Sequence, residues 1–146
     1  MSAFTRSTYA LNVEADAVCA LLDGGFLDLY DGVQPTGPDQ ALLTQTRLAR
    51  LTFGIPAFHP SVGGEAVARA IGPDRRAAAT GQATWFRARQ SDEWPVCDGS
   101  IGLYSGAEPS NDMGAATEDL LLTRTAIQIN AEVTVTSFIY RASRGR

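Results

Sequence analysis

The chain of 146 residues contains no lysine; all 12 of its basic side chains are arginine. Set against 16 acidic residues, they leave a net charge of −4. A nucleic-acid binder gathers cations on one face, so a mildly acidic chain argues against that class. Arginine without lysine has a second meaning. A planar guanidinium presents fixed donors that fork onto a carboxylate, whereas an ammonium is a single point charge. That composition suits a protein that meets carboxylates on other protein surfaces. The bias of a GC-rich genome produces the same composition and is the plainer explanation.

Other shortages narrow the chemistry. His59 is the only histidine, set between Phe58 and Pro60, and the chain holds no G-x-S-x-G or similar activated-serine motif to partner it. Cys19 and Cys97 are the only cysteines. Without C-x-x-C spacing they make neither a zinc site nor a redox pair, and buried free thiols are expected. Paired glycines in "VGGEAVA" and "LDGGFLD" fit neither phosphate-loop pattern and read as turns. No catalytic residue, metal or cofactor is therefore expected. No apolar run approaches the ~20 residues of a membrane helix. The N-terminal stretch is interrupted by Glu14 and Asp16 and lacks the basic-then-apolar layout of a signal peptide. Synthesis in the cytoplasm without membrane contact is the expectation.

What the chain does have is alternation. An amphipathic helix is predicted over 12–23, with Asn12 as N-cap, Val13, Ala17 and Leu21 as its apolar stripe with Val18 and Leu22 beside it, and Gly24-Gly25 as its stop. After it the period becomes two. "FLDLYDG", "TRLARLTFG", "EAVARAIG", "GQATWFRARQ" and "VCDGSIGLY" read as strands, the last two joined as a hairpin through "SDEWP". The terminal run 133–140 alternates without Pro or Gly and is expected to be a central strand. A single domain over 1–146 follows: an antiparallel β-sandwich or barrel over about 26–141, of jelly-roll or immunoglobulin-like size, with one N-terminal helix.

Few positions invite a functional reading. In "EPSNDMGAATED" the oxygens of Glu108, Asn111, Asp112, Glu118 and Asp119 could cradle calcium, but the spacing is not that of an EF-hand and a solvated loop is the simpler reading. Trp85 and Trp94 could form a platform for sugar rings. Trp85, alternating with Ala83 and Arg87, reads rather as the centre of a core or of a subunit contact. The polar Arg87 on its face favours a contact. The loops "DGVQPTGPDQALLTQ" and "GIPAFHPSVGG" are long enough to serve assembly. The candidate interface residues are thus Trp85, Arg87 and Arg89 towards other subunits, and Gln34, Pro35, Phe58 and His59 in the loops.

The segments "LLDGGFLDLYDGVQPTGPDQALL", "LARLTFGIPAF", "ATGQATWFRARQSD", "VCDGSIG" and "VTVTSFIY", in that order, resemble a group of small virion structural proteins of tailed phages and prophages. The resemblance spans residues 15–140, and the order of several motifs, none of them catalytic, makes it specific. "EWP" and "YSGAEPSNDMGAATED" depart from it as inserts. It implies a decoration (cement) protein on the outer surface of a capsid, binding the major capsid protein and itself, as a homotrimer. A tail, neck or baseplate component, or a carbohydrate-binding adhesion module, is the alternative. It carries over no active-site residue.

Overall fold

A computed structural model of the protein describes residues 4–103, 120–122 and 124–142. The candidate calcium loop lies outside the described residues. Helix α1 (Thr8–Leu21) begins four residues earlier than the periodicity predicts. Ser7 is its N-cap, its hydroxyl accepting from the Ala10 amide at 3.1 Å. Asn12 lies inside the helix, where its side-chain oxygen instead holds the Gly64 amide at 2.8 Å. The stop falls where expected. Gly24 takes φ +68°, and a Cβ on Gly25 would sit 2.2 Å from the Arg89 carbonyl oxygen, so the chain turns into the sheet only with glycine there.

The face of α1 that packs inward is also different. Ala15, Cys19 and Leu22 are buried, whereas Val13, Ala17 and Leu21 face solvent. The helix carries apolar residues on both sides, and periodicity does not say which one the sheet takes. Ala15 and Cys19 are small and let the backbone come close; the bulkier stripe is left outside.

Among the described residues nine strands follow: β1 (Phe26–Tyr30), β2 (Arg47–Thr52), β3 (Glu65–Val67), β4 (Gly81–Gln82), β5 (Trp85–Arg89), β6 (Pro95–Leu103), β7 (Leu120–Leu122), β8 (Ala126–Ile127) and β9 (Ser137–Arg141). Seven form one sheet in the order β2-β1-β5-β6-β7-β9-β3, and β4 with β8 forms a small second sheet. The protein is thus mainly β and sandwich-like with one helix near its N-terminus. The sheet is mixed rather than wholly antiparallel, because β6 and β7 run parallel. The β5–β6 hairpin pairs as predicted.

The barrel does not close, but neither sheet edge is left bare. On the β3 edge the chain at 57–59 pairs with the strand end, His59 donating to the Val67 carbonyl (2.9 Å) and Arg69 to that of Ala57 (2.8 Å); on the far edge Gly72 exchanges two backbone bonds with Thr52 (3.1 and 2.7 Å). Covering edges this way removes templates for strand addition. The terminal run is shorter and less central than expected. Only Ser137–Arg141 is strand, beside the edge strand β3, while Val133 bridges to Asp74 in the second layer.

The core lies on the Leu27, Leu29, Leu51, Phe86 and Ala88 side of the sheet. Phe138 meets Phe86 edge-on at 5.1 Å and Phe58 at 5.7 Å between ring centroids. A Cβ at Gly99 would lie 2.5 Å from Phe86 Cζ, so glycine in β6 makes room for that ring. Phe58, expected in a loop reaching for a neighbour, is part of this core. Its ring is too large and too apolar to stay outside when Phe53 and Phe138 offer faces to pack on.

Candidate functional site

The opposite face of strands β2, β1, β5 and β6 carries charge. Arg50 lies opposite Asp28, Asp28 opposite Arg87, and Arg87 opposite Asp98, a row of alternating sign across four strands. Asp28 interrupts the apolar strand "FLDLY" and is wholly buried. Arg50 forks onto it at 2.8 and 3.0 Å, and Arg89 Nε adds a bond at 2.9 Å. Arg87 forks onto Asp98 at 2.7 and 2.9 Å, both side chains buried. A β-bulge opposite Leu29/Tyr30 makes Leu48 an extra residue and changes the phase of β2. Arg47 thereby joins Arg50 on the Asp28 side, 3.9 Å from its carboxylate, rather than lying on the opposite face as strict alternation predicts.

Next to this row Tyr30 and Trp85 stack, with centroids 4.5 Å apart and planes at 15°. Loop 31–46 lies over both. Its ends are tied where Asp31 and Thr46 exchange bonds of 2.7 and 3.1 Å. Its carbonyls then take the indole N–H of Trp85 (Asp31, 3.0 Å) and the remaining Arg87 donors (Gln40, 3.0 Å; Gly37, 3.3 Å). Trp85 is 1% exposed.

The polar face read from the alternation of β5 therefore exists, and its neighbour is the chain's own loop. Trp85 and Arg87 are buried there, with no surface left for another subunit, because the carbonyls of loop 31–46 reach their donors first. Arg89 is half-buried, and its other donors go to the Tyr30 hydroxyl (3.0 Å) and the Glu93 carbonyl (3.1 Å). The forked pairing suggested by the arginine-only composition is present, but within the chain. Gln34 is exposed and Pro35 half-buried on the outer side of loop 31–46, apart from the row.

Sequence reasoning missed Asp28, Arg50, Glu93 and Asp98. A signal was there: a lone carboxylate in a strand of Phe, Leu and Tyr must find cations once buried. At the tip of the β5–β6 hairpin, Glu93 takes φ 79° and its carboxylate accepts two bonds from Arg50, at 2.7 and 2.8 Å. Those bonds hold the Glu93 carboxyl below its ordinary range and, with Asp28, raise the Arg50 guanidinium above its own. Burial works against the charge of Arg89, yet its bonds to Tyr30 and Asp28 leave it raised as well. Trp94 follows, 69% exposed.

His59 is exposed and lines a shallow cavity of about 300 Å³ with Asp16, Cys19, Asp23 and Arg69. One oxygen of Asp16 accepts from the Ser61 amide (2.9 Å), and one of Asp23 from the Ala57 amide (2.7 Å), so both carboxylates fasten the 56–61 turn to the helix. Burial, with those two carboxylates, pushes the Cys19 thiol up to about 12, which leaves it protonated and poorly nucleophilic. Cys19 is buried and forms no disulfide. Among the described residues no group of three or more His, Cys, Asp or Glu could hold a metal ion, and no helix is long and apolar enough to cross a membrane. Compared with known proteins, the chain matches no family model, no curated protein and no solved structure.

Proposed function

We propose that the chain is a non-enzymatic structural subunit of a tailed-phage virion: a decoration protein that binds the outer surface of the shell, associates with copies of itself as a trimer, and reinforces contacts between shell subunits. The order of motifs along the sequence motivates the reading. The observation that carries it is the outer face of α1. Tyr9, Val13, Ala17 and Leu21 recur there at four-residue spacing with Ala20 beside them, all exposed. The charges of Glu14 and Asp16 flank that face without crossing it. With Ala15, Cys19 and Leu22 already buried on the inner side, an isolated soluble domain gains nothing by leaving this second apolar face outward. A subunit that packs helix against helix around a symmetry axis does, and Ala17 and Ala20 let such helices approach closely. Repetition around the shell then multiplies a modest affinity per subunit.

The test is stoichiometry. Quantitative mass spectrometry of purified virions should find this chain in numbers comparable to the shell protein. A handful of copies would move it to the neck, tail or baseplate. In solution, light scattering should give a trimer for the wild type and a monomer for Val13→Glu with Leu21→Glu; a wild-type monomer at high concentration would remove α1 as the self-association face.

A further inference from the structure

We infer that the hairpin tip at residues 90–94 is a preorganised docking element, in which Trp94 enters an apolar slot on a protein partner and Arg47 meets a carboxylate at the rim of that slot. The inference rests on the decoration reading, in which the partner is the shell protein.

The tip is held with more bonds than a turn needs. The Glu93 amide bonds to the Gln90 carbonyl and the Gln90 amide to the Trp94 carbonyl, both at 2.9 Å, which closes the hairpin. The Trp94 amide takes an Asp92 carboxylate oxygen at 3.2 Å. Glu93 nevertheless sits in the left-handed region, which a side chain adopts at a cost and glycine adopts freely. What keeps it there is the fork from Arg50 and the bond from Arg89 to its carbonyl, and both arginines are anchored on the buried Asp28. Pro95 after Trp94 restricts the backbone of Trp94 itself. A continuous chain of bonds thus runs from a wholly buried carboxylate to the backbone of the turn that carries the exposed indole.

Single exposed apolar side chains are common on protein surfaces. A tryptophan held out on a strained, over-determined turn is a different case, because a rigid anchor loses little freedom when it binds. Tryptophan and arginine are also the residues that dominate protein–protein contacts energetically. The charge at the tip selects the partner. Arg47, Arg50 and Arg89 are three cations facing two anions, Asp28 and Glu93. Arg47, opposite Tyr30, is the most exposed of the three at 43% of its side chain, and among the described residues its one ion pair is the 3.9 Å approach to Asp28. Asp92 is the remaining charge on the turn, and one of its oxygens is turned back onto the Trp94 amide. A surface with an apolar slot beside an Asp or Glu complements this arrangement.

The probe is a capsid shell assembled without this chain, with the purified protein added back and binding measured at two salt concentrations. Trp94→Ala should weaken binding by about 30-fold or more. Arg47→Glu should weaken it by about tenfold and reduce its salt dependence. Glu93→Gly suits the left-handed backbone but removes the carboxylate that locks it, and should cost several-fold in affinity with the indole intact. All three variants should keep the cooperative melt of the wild type. Trp94 emission should shift to shorter wavelength on binding, while the buried Trp85 gives no change.

If the wild type binds shells and Trp94→Ala binds as well, the docking element is overturned and the decoration reading stands. If the wild type does not bind shells, both fall. If instead Trp94→Ala abolishes binding to immobilised host-surface glycans, and shells are bound equally by both proteins, the indole is a sugar platform and the protein slot is wrong.

Discussion

Within strands β2, β1, β5 and β6, Leu27, Leu29, Leu51 and Phe86 face one way and meet other hydrocarbon, while Arg50, Asp28, Arg87 and Asp98 face the other way and meet one another. Both faces are covered, and they differ in what holds them shut. The apolar face is non-directional: burial at roughly 25 cal/mol per Å² rewards any well-shaped contact. The charged face is stoichiometric. Each ion has given up water, and its partner must be present at the right distance to offset that loss. An isolated removal should therefore do the most damage on the charged side, and a paired removal comparatively little.

The largest effect is expected at Asp28. Asp28→Ala leaves Arg50 and Arg89 facing each other without their shared anion, and breaking a buried pair in this way costs about 3–5 kcal/mol. Urea unfolding followed by circular dichroism measures it. The sharper form of the comparison is the Arg87–Asp98 pair. Either single apolar substitution should destabilise strongly, whereas Arg87→Met with Asp98→Leu should recover most of the loss, because both ions leave together. A double variant as unstable as the singles would mean that the carbonyls of Gly37 and Gln40, orphaned when Arg87 goes, matter more than the ion pair.

On the apolar face the expected effect is smaller and depends on shape. Gly99→Ala puts a methyl 2.5 Å from Phe86 Cζ, and overpacking of this kind costs about 1–3 kcal/mol. Pairing it with Phe86→Leu, which shortens the opposing side chain, should return part of that stability. If Gly99→Ala melts like the wild type, the sheet has more slack at β6 than the packing implies.

The same comparison separates what the sequence made legible from what it did not. The strands at 26–30 and 47–52 and the hairpin of β5 and β6 follow from local alternation and turn residues, and they are where expected. So is the split of β5 into Phe86 and Ala88 against Trp85, Arg87 and Arg89. The partners of Arg87 are another matter. Asp98 is supplied by the hairpin, but Gly37 and Gln40 lie in a loop without a period, so only loop placement brings them to Arg87. The bulge at Leu48 defeated alternation in the strand where it mattered most, since strict period two separates Arg47 from Arg50. In α1 the pattern was present on both sides, and the choice between Val13–Ala17–Leu21 and Ala15–Cys19–Leu22 belongs to the surface the helix lands on. Burial, a tertiary property, is what moved Trp85 and Arg87 from a subunit contact to an interior row.

The smallest effect is expected where the charged face reaches solvent, and its direction with pH is fixed. Glu93 has its carboxyl held below the ordinary value of 4.5 by the bonds from Arg50. A carboxylate favoured in this way contributes stability above its unfolded value. The contribution shrinks as pH falls through 4.5 and is gone once the folded group is also protonated. Arg50 remains charged throughout, so only one side of the contact titrates. The wild type and Glu93→Gln should therefore differ by a constant amount in urea midpoint between pH 6 and 7, and the two should converge below 4.5. Both proteins carry the same other carboxylates, so the background acid response cancels in the difference. Convergence would place the titration at the tip. A difference that stays constant down to the acid unfolding of both proteins would mean that Glu93 is held by its turn backbone, with Arg50 contributing little.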